Sequence, residues 1–317
     1  MKKCYIGFDT SNYTTSIAVC DEEGRVVANL KKALLVKEGE RGLRQSDAVF
    51  AHNKNIPLLT DELTEVLKDY VPYAVGVSVT PRVTENSYMP CFLVGRSAAH
   101  IFAASRALPI FETAHQNGHV MAAVYSSGAA DILTKNRFLA FHVSGGTTEA
   151  LLVTPHKTDF DITLVGETKD INAGQAIDRI GVMMGLSFPC GREMEALAAQ
   201  YEGYLEKYRI CVKDGCCNLS GVENIAKKLY EERRDSQQVA AFAFDFICRT
   251  LIAMAQQLIE KYGEMPVLFA GGVMSNRLMR EKIKSKFQAY FAEPEFSADN
   301  AAGVALLCRM KAKEEDI

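Results

Sequence analysis

Short apolar segments separated by polar turns dominate the start of the chain and predict a sheet. Three strands are indicated by the segments CYIGFDTS, TTSIAVCD and GRVVANLKK, and Gly7 and Gly24 mark positions where the strand pattern is interrupted. A helical pattern then runs from about Ser46 to Lys68, and a buried strand follows near YAVGVSV. The small and apolar residues of FLVGRSAAHIFAASRAL predict a tightly packed helix, and TAHQNGHVMAA predicts another.

A second strand, turn and strand, FLAFHVSGGTTEALLVT, begins the second half and has the same order of elements as the opening. Helical patterns follow in NAGQAIDRIGVMMG, REMEALAAQY and VENIAKKLYEE, and then in QVAAFAFDFICRTLIAMAQQLIEKYG, which is apolar on most faces. MPVLFAGGVMSNRLMREKI predicts a buried strand, a Gly-Gly turn and a helix, and SADNAAGVALLCRMKAK predicts the last helix. This alternation predicts an α/β fold of two related lobes, with ligands at the strand ends.

Composition narrows the class of protein. The 317 residues are 48% hydrophobic and 24% charged, and the formal charge of −3 argues against broad nonspecific binding to nucleic acid. The apolar stretch after the initial MKK is too short for a secretory signal, so we expect a cytoplasmic protein that does not use a membrane. The nine cysteines are scattered and odd in number, which is typical of reduced thiols.

Two histidines four residues apart on a predicted helix, His115 and His119, form the clearest candidate for a metal site. This spacing places both rings on one face, about 5–6 Å apart at Cβ. A third ligand is needed. Asp299 is a candidate, although an acid at a helix start also has an ordinary capping role. Gln116 stands where the HExxH motif of zinc proteases has glutamate, which weakens a peptidase interpretation.

Glycine-rich turns after two predicted strands suggest a nucleotide site. In VSGGTTE, Ser144, Gly145 and Gly146 lie where absent side chains let backbone N–H groups approach a phosphate, although an ordinary hairpin fits as well. LFAGGVMSN repeats the arrangement beside a helix start. Between them, Asp178 is a carboxylate suited to ribose hydroxyls, and Gly191 leaves the backbone bare.

Seven segments in order resemble the Kae1/TsaD/Gcp family of the actin-like ATPase (ASKHA, ribonuclease H-like) superfamily, formerly called O-sialoglycoprotein endopeptidases. These segments are GFDTSNYTTSIAV, HQNGH, VSGGTTEALL, GETKDINAGQAIDR, FPCG, GGVMSNRLMR and ADNAAGVAL. The resemblance implies two actin-like lobes with mixed sheets flanked by helices. We expect the first lobe to span 1–132 and the second to span 133–317, with the last helix able to pack back on the first.

The resemblance also implies an activity, which is transfer of threonylcarbamoyl from threonylcarbamoyl-AMP to N6 of adenosine 37 in ANN-decoding tRNA. His115, His119 and Asp299 match the family's ligands for Fe²⁺ or Zn²⁺, which would then tie the lobes together. Residues matching the substrate-binding turn and the adenylate site are His142, Val143, Ser144, Gly145, Gly146, Asp178, Gly191 and Asn276. The implied partners are tRNA, a smaller actin-like paralogue and a P-loop ATPase subunit, and a homo-oligomer is left open.

The chain departs from the family pattern near its start. Typical members carry ETSCDET, whereas this chain has DTSNYTT, so Tyr13 and Thr14 replace an acidic pair, and Thr147 replaces the histidine of SGGHT. A noncatalytic paralogue that keeps the nucleotide and metal sites and scaffolds a partner is therefore the alternative hypothesis, ahead of a peptidase.

A basic segment gives a candidate contact for tRNA, against the alternative of a solvated surface. Its members are Lys31, Lys32, Lys37, Arg41 and Arg44.

Overall fold

The structure is a computed structural model that describes residues 1–11, 13–35, 43–84, 87–298 and 300–316. Within these ranges it contains strands β1 (Lys2–Thr10), β2 (Thr14–Asp21), β3 (Val26–Ala33), β4 (Tyr70–Thr80), β5 (Ile110–Ala114), β6 (Phe138–Val143), β7 (Thr148–His156), β8 (Asp159–Glu167), β9 (Cys211–Lys213), β10 (Cys216–Asn218), β11 (Val267–Ala270) and β12 (Ala289–Phe291). Its helices are α1 (Gln45–Val66), α2 (Phe92–Ser105), α3 (His115–Ser126), α4 (Ala130–Leu133), α5 (Ala173–Met183), α6 (Gly191–Ala198), α7 (Gly221–Arg233), α8 (Ser236–Tyr262), α9 (Arg277–Lys284), α10 (Pro294–Ser297) and α11 (Ala302–Glu314), with a 3₁₀ turn at Gly272–Ser275.

The described residues form two five-stranded mixed sheets with the same topology. The first has the strand order β3-β2-β1-β4-β5, and the second has the order β8-β7-β6-β11-β12. In each sheet the leading strand pairs antiparallel with the strand that follows it in sequence, β1 with β2 and β6 with β7. On its other side each leading strand pairs parallel with a later strand, β4 or β11, and a further parallel strand lies beyond. The repeat predicted from the two strand–turn–strand segments is therefore present in the sheet order.

The chain divides into two compact units that are not continuous in sequence. The first unit comprises residues 1–126, 155–161 and 295–317, and the second comprises 127–154 and 162–294. The expected boundary at residue 132 differs from this division because the chain re-enters the first unit twice, through the tip of the β7–β8 hairpin and through α11.

Helix α11 joins the first unit because glycines let it approach two elements closely. A Cβ built on Gly303 would lie 1.8 Å from the carbonyl oxygen of Gly118 in α3, and one on Gly7 in β1 would lie 2.5 Å from the amide nitrogen of Ala305. Any side chain at Gly7 or Gly303 would force these backbones apart. The buried side of α11 therefore lies against the first sheet and the histidine helix.

Helix α8 is the core of the second unit. It spans 27 residues, and its buried positions include both faces of the helix, from Val239 to Leu258. Of the helices in the described residues, only α8 is long and apolar enough to cross a membrane, with a mean hydropathy of 1.5 over 18 residues. Since 83% of that window is buried inside the protein, its apolar character is explained by packing against α6, α7 and α9.

Candidate functional site

The two histidines of the predicted metal site lie side by side at the start of α3, in the first unit. His115 is the first residue of α3 and directly follows β5, so its position is fixed by the end of a sheet strand. The ring centroids of His115 and His119 are 4.3 Å apart, and the rings meet edge to face at 78°. The four-residue spacing therefore brings both imidazoles to one place, as the helical pattern predicted.

Asp9, at the end of β1, holds the first histidine in one orientation. Its Oδ2 atom lies 2.6 Å from Nδ1 of His115, and its Oδ1 atom accepts a hydrogen bond from the Ser11 amide at 2.9 Å. The carboxylate is 1% exposed. An ionised aspartate can only accept, so Nδ1 of His115 donates, and Nε2 is the nitrogen that the neutral ring would offer to a metal ion. A carboxylate behind a histidine is the usual support of a metal-binding imidazole.

The histidine pair fits a metal ion in its chemistry, but the described residues do not complete a ligand set. In the described ranges no three His, Cys, Asp or Glu side chains are grouped so that they could hold a metal ion. Asp299, the expected third ligand, lies outside the described residues.

Several polar side chains are buried between strands β1 and β2 and helices α1 and α2. Thr10 Oγ1 donates to the carbonyl oxygen of Cys91 at 2.9 Å and accepts from the Gly95 amide at 3.0 Å. Thr15 Oγ1 lies 2.8 Å from Nδ1 of His52. Burial lowers the pKa of His52, against the opposing effects of the Ser11 backbone and the Asp9 charge. These bonds fix the strand end that carries Asp9.

In the second unit, the turn between β6 and β7 is closed by its own serine. Ser144 Oγ accepts from the amides of Gly146 and Thr147 at 3.2 and 3.1 Å. The N–H groups of Gly146 and Thr147 therefore donate within the turn. Gly174, in the first turn of α5, touches this turn so closely that its Cβ would lie 2.6 Å from the Gly145 amide nitrogen. The turn is thus fixed against α5.

The second glycine turn follows β11, which is the parallel neighbour of β6. Gly271 has a φ of +100°, and its Cβ would lie 2.2 Å from the carbonyl oxygen of Val143. Only glycine satisfies both requirements. The carboxyl ends of β6 and β11 therefore meet, which is where α/β sheets bind ligands.

One cavity of about 530 Å³ opens at these strand ends. Four of the predicted nucleotide-site residues, which are far apart in sequence, line it together: Gly145, Asp178, Gly191 and Asn276. The cavity is within the range of about 300–1,000 Å³ that is usual for small-molecule sites. A Cβ at Gly145, Gly191 or Gly272 would meet nothing within 4 Å, so these glycines keep space open rather than permit tight packing.

Two polar side chains of this cavity have hydrogen-bonding capacity toward a ligand. Asn276 caps α9 through Oδ1, which accepts from the Met279 amide at 2.9 Å, while its Nδ2 is buried without a partner among the described residues. Asp178 Oδ1 accepts from the Cys190 amide at 2.8 Å, which leaves Oδ2 to accept from a ligand. The Arg277 amide at the α9 start instead donates to Glu195.

The remaining predicted positions lie outside the cavity lining. His142 and Val143 belong to the end of β6, where Val143 is fully buried beneath Gly271. Ser144 and Gly146 form the closed part of the turn. Asp9 and Gly174 are the site residues that sequence reasoning missed. The signal available for Asp9 was an acid at the end of an apolar strand, which is otherwise unfavourable to bury.

The basic segment is only partly described. Lys37 and Arg41 lie outside the described residues. Lys31 Nζ donates to the Glu295 carbonyl oxygen at 2.9 Å, and Lys32 and Arg44 are exposed. The described part therefore indicates solvated side chains with one local contact.

The duplicated sheet order and the cavity at the strand ends define an actin-like ASKHA protein. Solved structures agree. Full-length HypF in its phosphate- and nucleotide-bound form superposes with a TM-score of 0.59 at 13% identity, covering 98% of this chain and 55% of HypF. A ROK family glucokinase from Streptomyces griseus, in complex with glucose and AMPPNP, gives 0.52 at 14% identity, covering 96% and 98%. At these identities the likeness concerns the fold alone.

Sequence comparison then gives the family. Residues 88–306 match the profile of TsaD, tRNA N6-adenosine threonylcarbamoyltransferase. The tRNA N6-adenosine threonylcarbamoyltransferase of Streptococcus pneumoniae (strain Taiwan19F-14) is 29% identical over 295 residues, which cover 90% of this chain and 85% of that protein. The chain belongs to the TsaD family, as a divergent member, and the resemblance noted from its motifs is confirmed.

Proposed function

We propose that the protein is a tRNA N6-adenosine threonylcarbamoyltransferase that binds a metal ion and an adenine nucleotide. The observation that carries this proposal is the cavity that brings together Gly145, Asp178, Gly191 and Asn276. These residues come from four separate segments, and each one offers open space or a hydrogen-bonding atom. Family membership supports transfer of a threonylcarbamoyl group to N6 of adenosine in tRNA. We propose threonylcarbamoyl-AMP as the donor and adenosine 37 of ANN-decoding tRNA as the acceptor.

The cavity residues hold the adenylate in three ways. Asp178 Oδ2 accepts hydrogen bonds from ribose hydroxyls, and the Asn276 amide donates to a nucleotide oxygen or ring nitrogen. Gly145, Gly191 and Gly272 let the nucleotide lie against the backbone. Ser144 to Gly146 keep one shape without ligand because Ser144 Oγ already satisfies two amides, so little entropy is lost on binding.

His115, His119 and Asp299 would hold the metal ion, Fe²⁺ or Zn²⁺, with Asp9 fixing the tautomer of His115. When bound, such an ion supplies a Lewis acid for the carboxylate or carbamoyl oxygen of the substrate. In the transfer, the N6 amine attacks the carbamoyl carbon, the carbon–oxygen bond to AMP breaks, and N6 loses a proton. Positioning supplies much of the acceleration, and the protein needs no side-chain nucleophile.

The partners in this proposal are tRNA, a smaller actin-like paralogue and a P-loop ATPase subunit, working in the cytoplasm. A noncatalytic, scaffolding paralogue is the second candidate. It is favoured by Tyr13, which is 43% exposed, and by Thr14, because both are neutral where typical members carry acids.

A transfer assay separates the two candidates. The purified protein, its validated partner set, threonylcarbamoyl-AMP and an ANN-decoding tRNA are incubated, and digested nucleosides are analysed by mass spectrometry. We expect modified adenosine from the natural protein and from Asp131→Asn, an exposed acid of the same unit. Asp178→Asn and His115→Ala should each reduce the yield strongly. Two results together would reject the transferase and support the scaffolding paralogue. The natural protein would yield no product, and the Asp178→Asn and His115→Ala double variant would still bind the partners.

A further inference from the structure

A second hollow of about 410 Å³ lies on α5 beside the nucleotide cavity. It is lined by Gln175, Asp178, Arg179, Val182 and Phe188. The four α5 residues follow the spacing i, i+3, i+4 and i+7, so they form one continuous helix face. Phe188 comes from the loop after α5 and closes the hollow on one side. We call this hollow the α5 shelf.

The apolar side chains of the α5 shelf are unusually open. Phe188 is 74% exposed and Val182 is 54% exposed. Their exposure is not a consequence of a loose loop, since the next residues are anchored: Cys190 is fully buried, and its amide donates to Asp178. An aromatic ring held at the surface by a fixed backbone is preorganised to stack on a planar group.

The α5 shelf and the nucleotide cavity are adjacent. Asp178 lines both hollows, and consecutive residues of one loop divide between them, with Phe188 in the shelf and Pro189 in the cavity. Whatever lies on the shelf therefore reaches the same carboxylate as a nucleotide in the cavity. This adjacency brings an acceptor base to the ribose side of the bound adenylate, and transfer requires the two substrates to be neighbours.

Charge and shape also favour a nucleobase over an apolar peptide. Polar groups of Gln175, Asp178 and Arg179 surround the two apolar side chains, which suits a base with an apolar face and hydrogen-bonding edges. Arg179 is bound to Glu223 at 3.1 Å, but this ion pair is exposed and so contributes little to stability, which leaves the guanidinium able to meet a phosphate. RNA-modifying proteins commonly hold unstacked bases on an exposed aromatic ring.

We propose that the α5 shelf binds the acceptor adenine of RNA, with Phe188 stacking on the base. The inference rests on the proposed function and assigns the place at which its RNA substrate engages. Phe188 acts by binding the base, while Asp178 at the shared wall limits how far the base can move from the nucleotide.

The test uses an anticodon stem-loop of an ANN-decoding tRNA with 2-aminopurine in place of adenine 37, added to the full chain with and without its partner set. Stacking of the probe on Phe188 should quench its fluorescence. Phe188→Ala should abolish the quenching and weaken binding about tenfold, whereas Phe188→Tyr should retain both. Tyr204→Ala is the matched control, because Tyr204 is an aromatic residue 81% exposed in the same unit and lines neither hollow.

Steady-state transfer gives an independent readout. Phe188→Ala should raise KM for tRNA about tenfold while kcat at saturating tRNA stays near that of the natural protein. Two outcomes would overturn the inference. The first is unchanged quenching and KM in Phe188→Ala, as expected if a protein partner covers the shelf. The second is that the natural protein does not bind the stem-loop either with or without its partner set. A natural protein that quenches the probe through Phe188 but transfers nothing would refute the proposed reaction while leaving the base-binding shelf in place.

Discussion

Asp9 Oδ2 lies 2.6 Å from Nδ1 of His115, and this contact joins the end of the first strand to the start of the histidine helix. The two residues are 106 positions apart, so only the folded sheet brings them together. Because the buried carboxylate accepts from Nδ1, it fixes the ring in the tautomer whose Nε2 binds metals. The candidate metal site is therefore built on β1 as well as on α3.

Asp9→Asn is expected to weaken metal binding ten- to a hundredfold, since a neutral amide no longer imposes the tautomer of His115. The measurement is calorimetric titration of the metal-free protein with Zn²⁺. Asp21→Asn provides the control, because Asp21 is also 1% exposed at the end of a strand in the same sheet but pairs with Arg25. Equal affinities in the Asp9 variant and the natural protein would show that Asp9 does not orient the ligand.

Gly303→Ala is expected to destabilise the first unit by about 1–3 kcal/mol or more, because the added methyl would overlap the Gly118 carbonyl. Thermal unfolding followed by calorimetry measures the loss. Gly221→Ala serves as a control, since a Cβ there meets nothing within 4 Å at the start of α7, and this variant should unfold at or slightly above the natural temperature. A Gly303 variant with unchanged stability would contradict the close approach of α11 and α3.

His52 should make stability depend on pH. Burial lowers its pKa from the usual 6.5, so the folded protein binds this proton less readily than the unfolded chain does. The stabilising contribution is then complete above about pH 6.5 and is lost as the pH falls toward the lowered pKa of the folded state. Urea unfolding at pH 8 and pH 5.5 should show a smaller decrease for His52→Gln than for the natural protein. His156→Gln, on an exposed side chain, should behave like the natural protein.

The sequence predicted the elements with strong local patterns and missed those defined by distant pairing. Strands β1, β2 and β3 and helices α1 and α8 follow from apolar periodicity. Strand β5 has five residues and directly precedes the histidine helix, so its pattern merges with that helix, and only its pairing with β4 defines it. Strand β8 lies at a sheet edge, and its alternating Phe160, Ile162 and Leu164 are a strand signal that the sequence analysis did not use.

Candidate site residues divide in the same way. The histidine pair was predictable because both residues lie on one helix, where spacing determines distance. Asp9 was not identified, because an acid at a strand end marks a candidate residue but does not indicate that its partner is His115, 106 positions away. The return of α11 to the first unit was expected from the family resemblance, whereas the close approach that glycines 7, 118 and 303 permit is visible only in the folded chain.

Asn276 combines a structural and a binding role in one side chain, and the two can be separated. Asn276→Ser keeps a side-chain oxygen that can cap α9, so most of the fold stability should remain, but it removes the buried Nδ2 donor without burying a charge. We expect about tenfold weaker AMP binding, measured by calorimetry, with little change in thermal unfolding. The cap variant Asp235→Ala should do the reverse, because Asp235 caps α8 by accepting from Gln238 and does not line the cavity. It should cost about 1 kcal/mol of stability and leave AMP affinity unchanged. If the Asn276 variant binds AMP as tightly as the natural protein and the Asp235 variant do, the buried amide of Asn276 does not take part in nucleotide binding.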